Sequence, residues 1–213
     1  MVFHVLNRGA GRMPLFTKER DYEAFEEIIK KTLNTCPMRI CGYCLMRNHW
    51  HLVLWPERDG ELAAFMQKLS ITHVRNWQVH RRKVGCGHVY QGRYKSFPVE
   101  IADYFYQVVR YVERNALRAN LVKRAEDWRW SSLWRRLNGS SEQRSLLSSW
   151  PLPRSRAWKN FVNKPQTAAE VKAIRRSLVR GQPYGSETWV KQTASQLGLE
   201  STLRRRGRPK KVD

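Results

Sequence analysis

Residues 46–56, MRNHWHLVLWP, hold two histidines one residue apart at the head of an apolar run. In an extended strand, residues i and i+2 point to one side, so His49 and His51 present their imidazoles together while Trp50 points into the opposite layer. Two parallel imidazoles can hold a divalent metal; the plainer alternative is a pair of surface or hydrogen-bonded histidines. A second stretch, YQVVRYVERNALRA, puts Tyr111 and Asn115 four residues apart, hence on one face of a helix. A phenol on that face can attack phosphorus, and an amide oxygen can join two imidazoles as a third ligand. Tyr104 and Tyr106 compete with Tyr111 for the first role. Tyr106 falls elsewhere on the helix, and Tyr104, two turns earlier on a similar face, has no amide four residues on.

The elements that must position these groups are legible from periodicity. Residues 2–8, 38–46 and 49–56 read as strands, and YKSFPVE adds a fourth. Helices are expected over 18–36, 60–82 and from 101 onward. In the first, acidic residues come early and lysines late, as the helix dipole favours. Phe105, Val108, Val109 and Val112 supply the stripe that anchors the third helix to the sheet. The order β-α-β-β-α-β-α predicts an α+β fold with a ferredoxin-like antiparallel sheet and helices on a face. That domain is expected to span 1–137. Residues 138–166, rich in Ser, Pro and Gly, read as a linker. Residues 167–213 read as a helical, basic extension with helices over 167–181 and 185–200. No internal repeat is present.

Forty Lys and Arg against eighteen Asp and Glu give a net charge of +22. Residues 1–137 hold 24 basic and 13 acidic side chains, and the remainder 16 and 5, so each part carries +11. That balance favours a polyanionic partner, nucleic acid above all, and disfavours a small-molecule enzyme. No apolar run approaches the roughly 18 residues of a membrane helix, and the N-terminus lacks signal-peptide order. A cytoplasmic, nucleoid-associated protein without a membrane partner is expected. Cys41 and Cys44 lie in RICGYCLM, a buried strand that should send their thiols to opposite faces, so core packing is expected rather than zinc.

Taken together, FHVLNRG, GYCLMRNHWHLVLWP, GRYKSFPVE, RYVERNALRANLV and the terminal ESTLRRRGRPKK resemble the REP-associated tyrosine transposases. These are relatives of the single-tyrosine HUH transposases of simple insertion sequences, in which two histidines flank a bulky residue. The stretches span most of 1–135 and recur at the tail. The resemblance implies that His49, His51 and Asn115 hold Mg²⁺ or Mn²⁺ and that Tyr111 is the nucleophile. It implies cleavage and rejoining of single-stranded or hairpin DNA, REP-like palindromes, through a 5′-phosphotyrosine. Arg47 and Ala116 stand where relatives often carry proline, so no proline marks the end of the catalytic helix. The chain starts almost on its first strand, where relatives commonly have several more residues, so an upstream segment is expected to be missing here, with altered specificity if that segment helps read DNA. Related insertion-sequence enzymes work as dimers; the tailed branch looks self-contained, so a monomer is favoured.

Arg93, Lys95, Arg110, Arg114 and Arg118 flank the expected site and are candidates for contacting DNA. Arg204, Arg205, Arg206 and Arg208 form a basic tail around Arg-Gly-Arg-Pro, an AT-hook core that suits a narrow minor groove. Two other readings compete. One is a DNA-binding protein that has kept the fold without catalysis. The other is a metallohydrolase built on the same histidine pair, for which His4, His73, His80 and His88 offer no evident cluster.

Overall fold

The computed structural model describes residues 1–204 of the 213. Four strands, β1 (Val2–Arg8), β2 (Arg39–Met46), β3 (His49–Trp55) and β4 (Lys95–Val99), form one sheet in the order β2-β3-β1-β4. All neighbours are antiparallel. β1 reaches β2 through helix α1 (Glu19–Thr35), and β3 reaches β4 through α2 (Glu61–His80). Each pair is split by an intervening strand, the interleaved arrangement of a ferredoxin-like fold.

The strands are apolar on both sides, and helices cover both. Val5, Tyr43, Leu45, Trp50, Leu52 and Leu54 pack with Phe25, Ile28, Ile29, Phe65, Met66 and Leu69 of α1 and α2. The opposite face, with Val2, Val53, Phe97 and Val99, is covered by α3 (Asp103–Glu113) and by Trp158, Ile174 and Tyr184. The expectation of helices on one face is therefore extended to two. A sheet face this apolar would otherwise stand exposed to water, at roughly 25 cal/mol per Å².

The thiols of Cys41 and Cys44 correct the sequence reading. Both lie buried in the same core cluster as α3. Ile40 pairs with Leu54 and Gly42 with Val53, leaving Cys41 as the extra residue of a bulge. One inserted residue reverses the alternation beyond it. Burial pushes both thiols up to about 12, so they stay protonated. Beside the bulge, a Cβ on Gly42 would stand 3.2 Å from Ser132 Oγ and 3.4 Å from Val109 Cγ1, so a side chain there would make Ser132 give by a few tenths of an ångström.

After α3 come α4 (Asn115–Arg118), α5 (Ser132–Asn138), α6 (Ser141–Arg144) and α7 (Trp158–Asn163). Then follow α8 (Ala168–Arg180) and α9 (Glu187–Gln196). α8 starts on a Thr167–Glu170 capping box and stops at Gly181, whose φ of 71° is the left-handed conformation that favours glycine. The segment 138–166, read as a linker, carries two of these helices. It packs Trp150, Trp158, Phe161 and Val162 into the second core. Its Ser and Pro content reflects caps and turns, while its aromatic residues do the packing. Among the described residues, no helix is long and apolar enough to cross a membrane.

Candidate active site

β2 and β3 are joined by a two-residue turn, Arg47–Asn48, so that Met46 faces His49. The Arg47 carbonyl accepts from the backbone N–H groups of Leu15 and Phe16, and the Asn48 carbonyl from that of Gly9. The turn is thus tied to the loop that follows β1. Arg8 of β1 pairs with His49, and Leu6 with His51. As expected, Trp50 points away: it is fully buried between the sheet and α1, its indole N–H donating to Tyr90 Oη.

The side of β3 that carries His49 and His51 faces α3. Their ring centres are 5.1 Å apart, and that of His51 is 6.0 Å from that of Tyr111. The structure brings His49, His51, Tyr111 and Asn115 to one cleft of about 420 Å³. Arg8, Lys95, Arg118 and Arg175 line it too, and among the described residues no carboxylate does. The cleft is therefore a place for an anion. Tyr104 and Tyr106 are elsewhere: Tyr104 packs edge-on against Tyr184, and Tyr106 donates to the Pro153 carbonyl.

α3 ends at Glu113. Arg114 (φ −82°, ψ 0°) interrupts the helix before α4 begins at Asn115. The Glu113 carboxylate, fully buried, accepts from Ser132 Oγ (2.6 Å) and from the Trp158 indole (2.7 Å). Burial raises its pKa, opposed by those two bonds. Arg118 reaches back from α4, donating to the Tyr111 carbonyl at 3.1 Å, and its guanidinium lies 4.0 Å from the centre of the Tyr111 ring. Across this interruption the bonds from Arg114 N–H to the Arg110 carbonyl and from Arg118 N–H to the Arg114 carbonyl continue, so Asn115 and Arg118 stay on the side of the tyrosine.

Two residues outside the sequence reading orient the histidines. Asn48 Nδ2 donates to the Arg12 carbonyl, which turns its Oδ1 toward His49 Nδ1 at 2.7 Å. An oxygen can only accept, so Nδ1 of His49 carries the proton and Nε2 keeps its lone pair. His51 Nδ1 lies 2.8 Å from Nε2 of His4, a fully buried ring stacked on it. His4, expected to belong to no cluster, is thus part of the site; its contact depends on β1 pairing with β3, which spacing does not reveal. Burial, reinforced by Arg118, lowers His4 to about 3. Burial, then Arg8 and Arg118, lowers His49 to about 4. His51 falls well below its ordinary value through burial and then its histidine neighbours. All three rings are neutral at pH 7, the state in which imidazole ligates metals.

Those observations bear on whether the donor set fits a divalent ion. The neutral His49 imidazole with its free Nε2, the neutral His51 imidazole once its proton sits on Nδ1, and an amide oxygen fit one. Asn115 is buried, and its Nδ2 has no partner among the described residues. Among those residues no group of three or more His, Cys, Asp and Glu forms a metal cluster; the set here has only two such side chains besides the amide.

The arginines divide. Arg118 lines the cleft. Arg110, 5% exposed, donates to the carbonyls of Lys164 and Pro165, and Arg114 to those of Val162 and Asn163. Both bind the end of α7 rather than open surface. Lys95 and Arg93 are exposed, with Lys95 at the cleft. Arg204 is exposed; Arg205, Arg206 and Arg208 lie outside the described residues. Arg8 and Arg175 are additions that sequence reasoning missed, because each comes from a distant element.

A family model described as "Transposase IS200 like" matches residues 1–115. The fold is similar to that of a REP-associated tyrosine transposase solved with a REP hairpin. That match has 17% identity and a TM-score of 0.52, and covers 78% of this chain and 92% of that one. A candidate transposase from Deinococcus radiodurans R1 is 14% identical with a TM-score of 0.41, covering 54% and 89% of the two chains. No curated protein matches this chain.

Proposed function

This chain belongs to the IS200-like transposase family, and we propose that it cleaves and rejoins single-stranded DNA at REP-like hairpins with Tyr111 as nucleophile. The family supports an enzyme that cuts and transfers DNA strands. The REP-like target rests on the sequence resemblance, with the fold shared with the hairpin-bound neighbour as background. The observation that carries the reading is the single cleft lined by His49, His51, Tyr111 and Asn115, with four cations and no carboxylate among the described residues.

In this reading the cations hold the phosphates of the strand, with Arg118 beside Tyr111. Tyr111 Oη attacks the scissile phosphorus: the Oη–P bond forms, the P–O3′ bond breaks, and the 3′ oxygen takes up a proton as the phenol loses its own. The 5′-phosphotyrosine conserves the phosphodiester, so a 3′-OH can reverse the step without ATP. His49, His51 and Asn115 would hold Mg²⁺ or Mn²⁺, which when bound supplies Lewis-acid polarisation of the phosphate. The sequence resemblance favours a monomer. Residues 138–166 and α8 then belong to the catalytic unit, and the basic tail adds affinity for DNA.

The test is cleavage of hairpin DNA from repeats flanking the gene, with Mg²⁺ or Mn²⁺. The expected result is a covalent adduct on a denaturing gel, lost in Tyr111→Phe and in EDTA. Tight hairpin binding with no adduct under either metal would instead support a binding protein.

A further inference from the structure

We propose that a second cavity, beside the α3 stripe of Asp103, Tyr106 and Arg110, receives one unstacked base of the DNA strand. The proposal rests on the reading of the protein as a single-strand DNA enzyme.

The cavity holds about 600 Å³, within the range of small-ligand pockets. Tyr106, Trp158 and Phe161 form its aromatic walls, with ring centres 5.9 Å and 5.4 Å apart in succession. The Arg110 guanidinium lies 4.2 Å from the centre of the Phe161 ring and is held by the Lys164 and Pro165 carbonyls. Its orientation is therefore set before any ligand arrives. Arg110 backs the Phe161 wall and is itself almost fully buried, so a base would stack on the aromatic walls, and such stacking tolerates any base.

The polar lining separates this cavity from the cleft. Asp103 and Glu170 stand with Lys164 and Asn160, mixing acceptors with donors. Two carboxylates repel a phosphate but can accept from the amino groups of a base edge. The cleft, whose charged side chains among the described residues are all cationic, suits the phosphate. α8 joins the two: Glu170 lines the cavity and Arg175 the cleft. Five helical residues rise about 7.5 Å and turn about 140° around the axis, so the cavity and the cleft border different sides of α8. In the proposal the strand passes around α8 between its phosphates at Arg118 and Arg175 and the base in the cavity.

The test uses the full chain carrying Tyr111→Phe, so that no DNA is consumed. Hairpins with single-stranded flanks, each with one abasic nucleotide, are titrated by fluorescence anisotropy. One flank position is expected to weaken binding about 10-fold when abasic. Asn160→Trp fills the cavity from an exposed position without removing packing. It should lower affinity for the intact hairpin about 10-fold and abolish the abasic effect. Phe161→Ala, with its fold checked by circular dichroism, should do the same. If the filled chain keeps both the affinity and the abasic profile, or if no position matters in the parent, the base pocket is refuted. If the parent binds no hairpin even at low salt, the functional reading itself has failed, a distinct result that also removes the proposal.

Discussion

Nε2 of His4 and Nδ1 of His51 are 2.8 Å apart, between two stacked rings with no water-exposed edge on His4. Both rings are neutral, so one proton lies between these nitrogens. If His4 donates it, His51 carries its own proton on Nε2 and cannot ligate through that atom. If His51 donates it, Nε2 of His51 has a free lone pair, and the His4 proton moves to Nδ1, a buried atom with no partner among the described residues. An unsatisfied buried donor costs about 1–3 kcal/mol. The ligating tautomer is therefore the strained one, and a cation at Nε2 is what favours it.

The first prediction concerns this pair. Asn48→Ala should weaken Mn²⁺ binding by about 10–100-fold, as loss of an orienting partner does in other metal sites. His4→Ala removes the orienting partner of His51 together with the unsatisfied donor, so it should weaken binding by less than Asn48→Ala. Mn²⁺ titration followed by electron paramagnetic resonance reads the affinity without any turnover. An unchanged dissociation constant in both variants would leave the two residues with a packing role only.

The second concerns the ion pair between Arg135 and Glu26, which joins α5 to α1 beneath Tyr43. Arg135 is 1% exposed, and Tyr43 donates to the same carboxylate at 2.6 Å. Arg135→Ala strands a buried carboxylate and should destabilise the fold by about 3–5 kcal/mol. For a chain of this size that is a melting shift of about 10 °C. Replacing both partners with Leu and Met should cost far less. Equal losses in single and double variants would argue that packing, not the pair, carries the effect.

A third follows from His73. Burial lowers it to about 3, and its Nδ1 accepts from Tyr90 Oη at 2.6 Å. Tyr90 in turn accepts from the Trp50 indole, so Tyr90 has its one proton to give to His73. The unfolded chain binds a proton at this histidine near pH 6.5 and the folded chain only near 3. Between those values the unfolded state holds more protons, so stability rises with pH and falls on acidification. The slope is about 1.4 kcal/mol per pH unit for each such histidine. Urea unfolding between pH 6.5 and 4 should be less steep in pH for His73→Asn, by about that amount. Parallel curves would mean that His73 already titrates normally in the folded protein.

How much of this was legible in sequence depends on range. His49, Trp50 and His51 obey the two-residue period of one strand, and Tyr111 and Asn115 a four-residue spacing that survives the interruption between α3 and α4, so local pattern was enough to bring them forward as candidates. The four strands and the long helices followed for the same reason. His4, Arg8 and Arg175 come to the cleft only through strand pairing and the packing of α8, which no local period encodes. Cys41 escaped because one bulged residue cancels the alternation on which the strand reading relied. Arg110 and Arg114 have the spacing of a basic face, but the carbonyls that occupy them belong to a segment whose composition suggested a linker.

That last division yields a prediction that separates positioning arginines from phosphate contacts. Lys95 and Arg118 line the anion cleft, whereas Arg110 holds the carbonyls after α7. Each phosphate contact contributes nearly one unit to the slope of log affinity against log salt. Lys95→Ala and Arg118→Ala should each reduce the hairpin-binding slope by about 1. Arg110→Ala should leave the slope unchanged and instead lower stability by about 1–3 kcal/mol, because two carbonyls lose their donor. The experiment is a set of hairpin titrations between about 50 and 200 mM salt, paired with thermal unfolding of the same variants. A reduced slope for Arg110→Ala with its stability intact would reverse the assignment. It would mean that the end of α7 opens when DNA binds and releases that guanidinium to the strand.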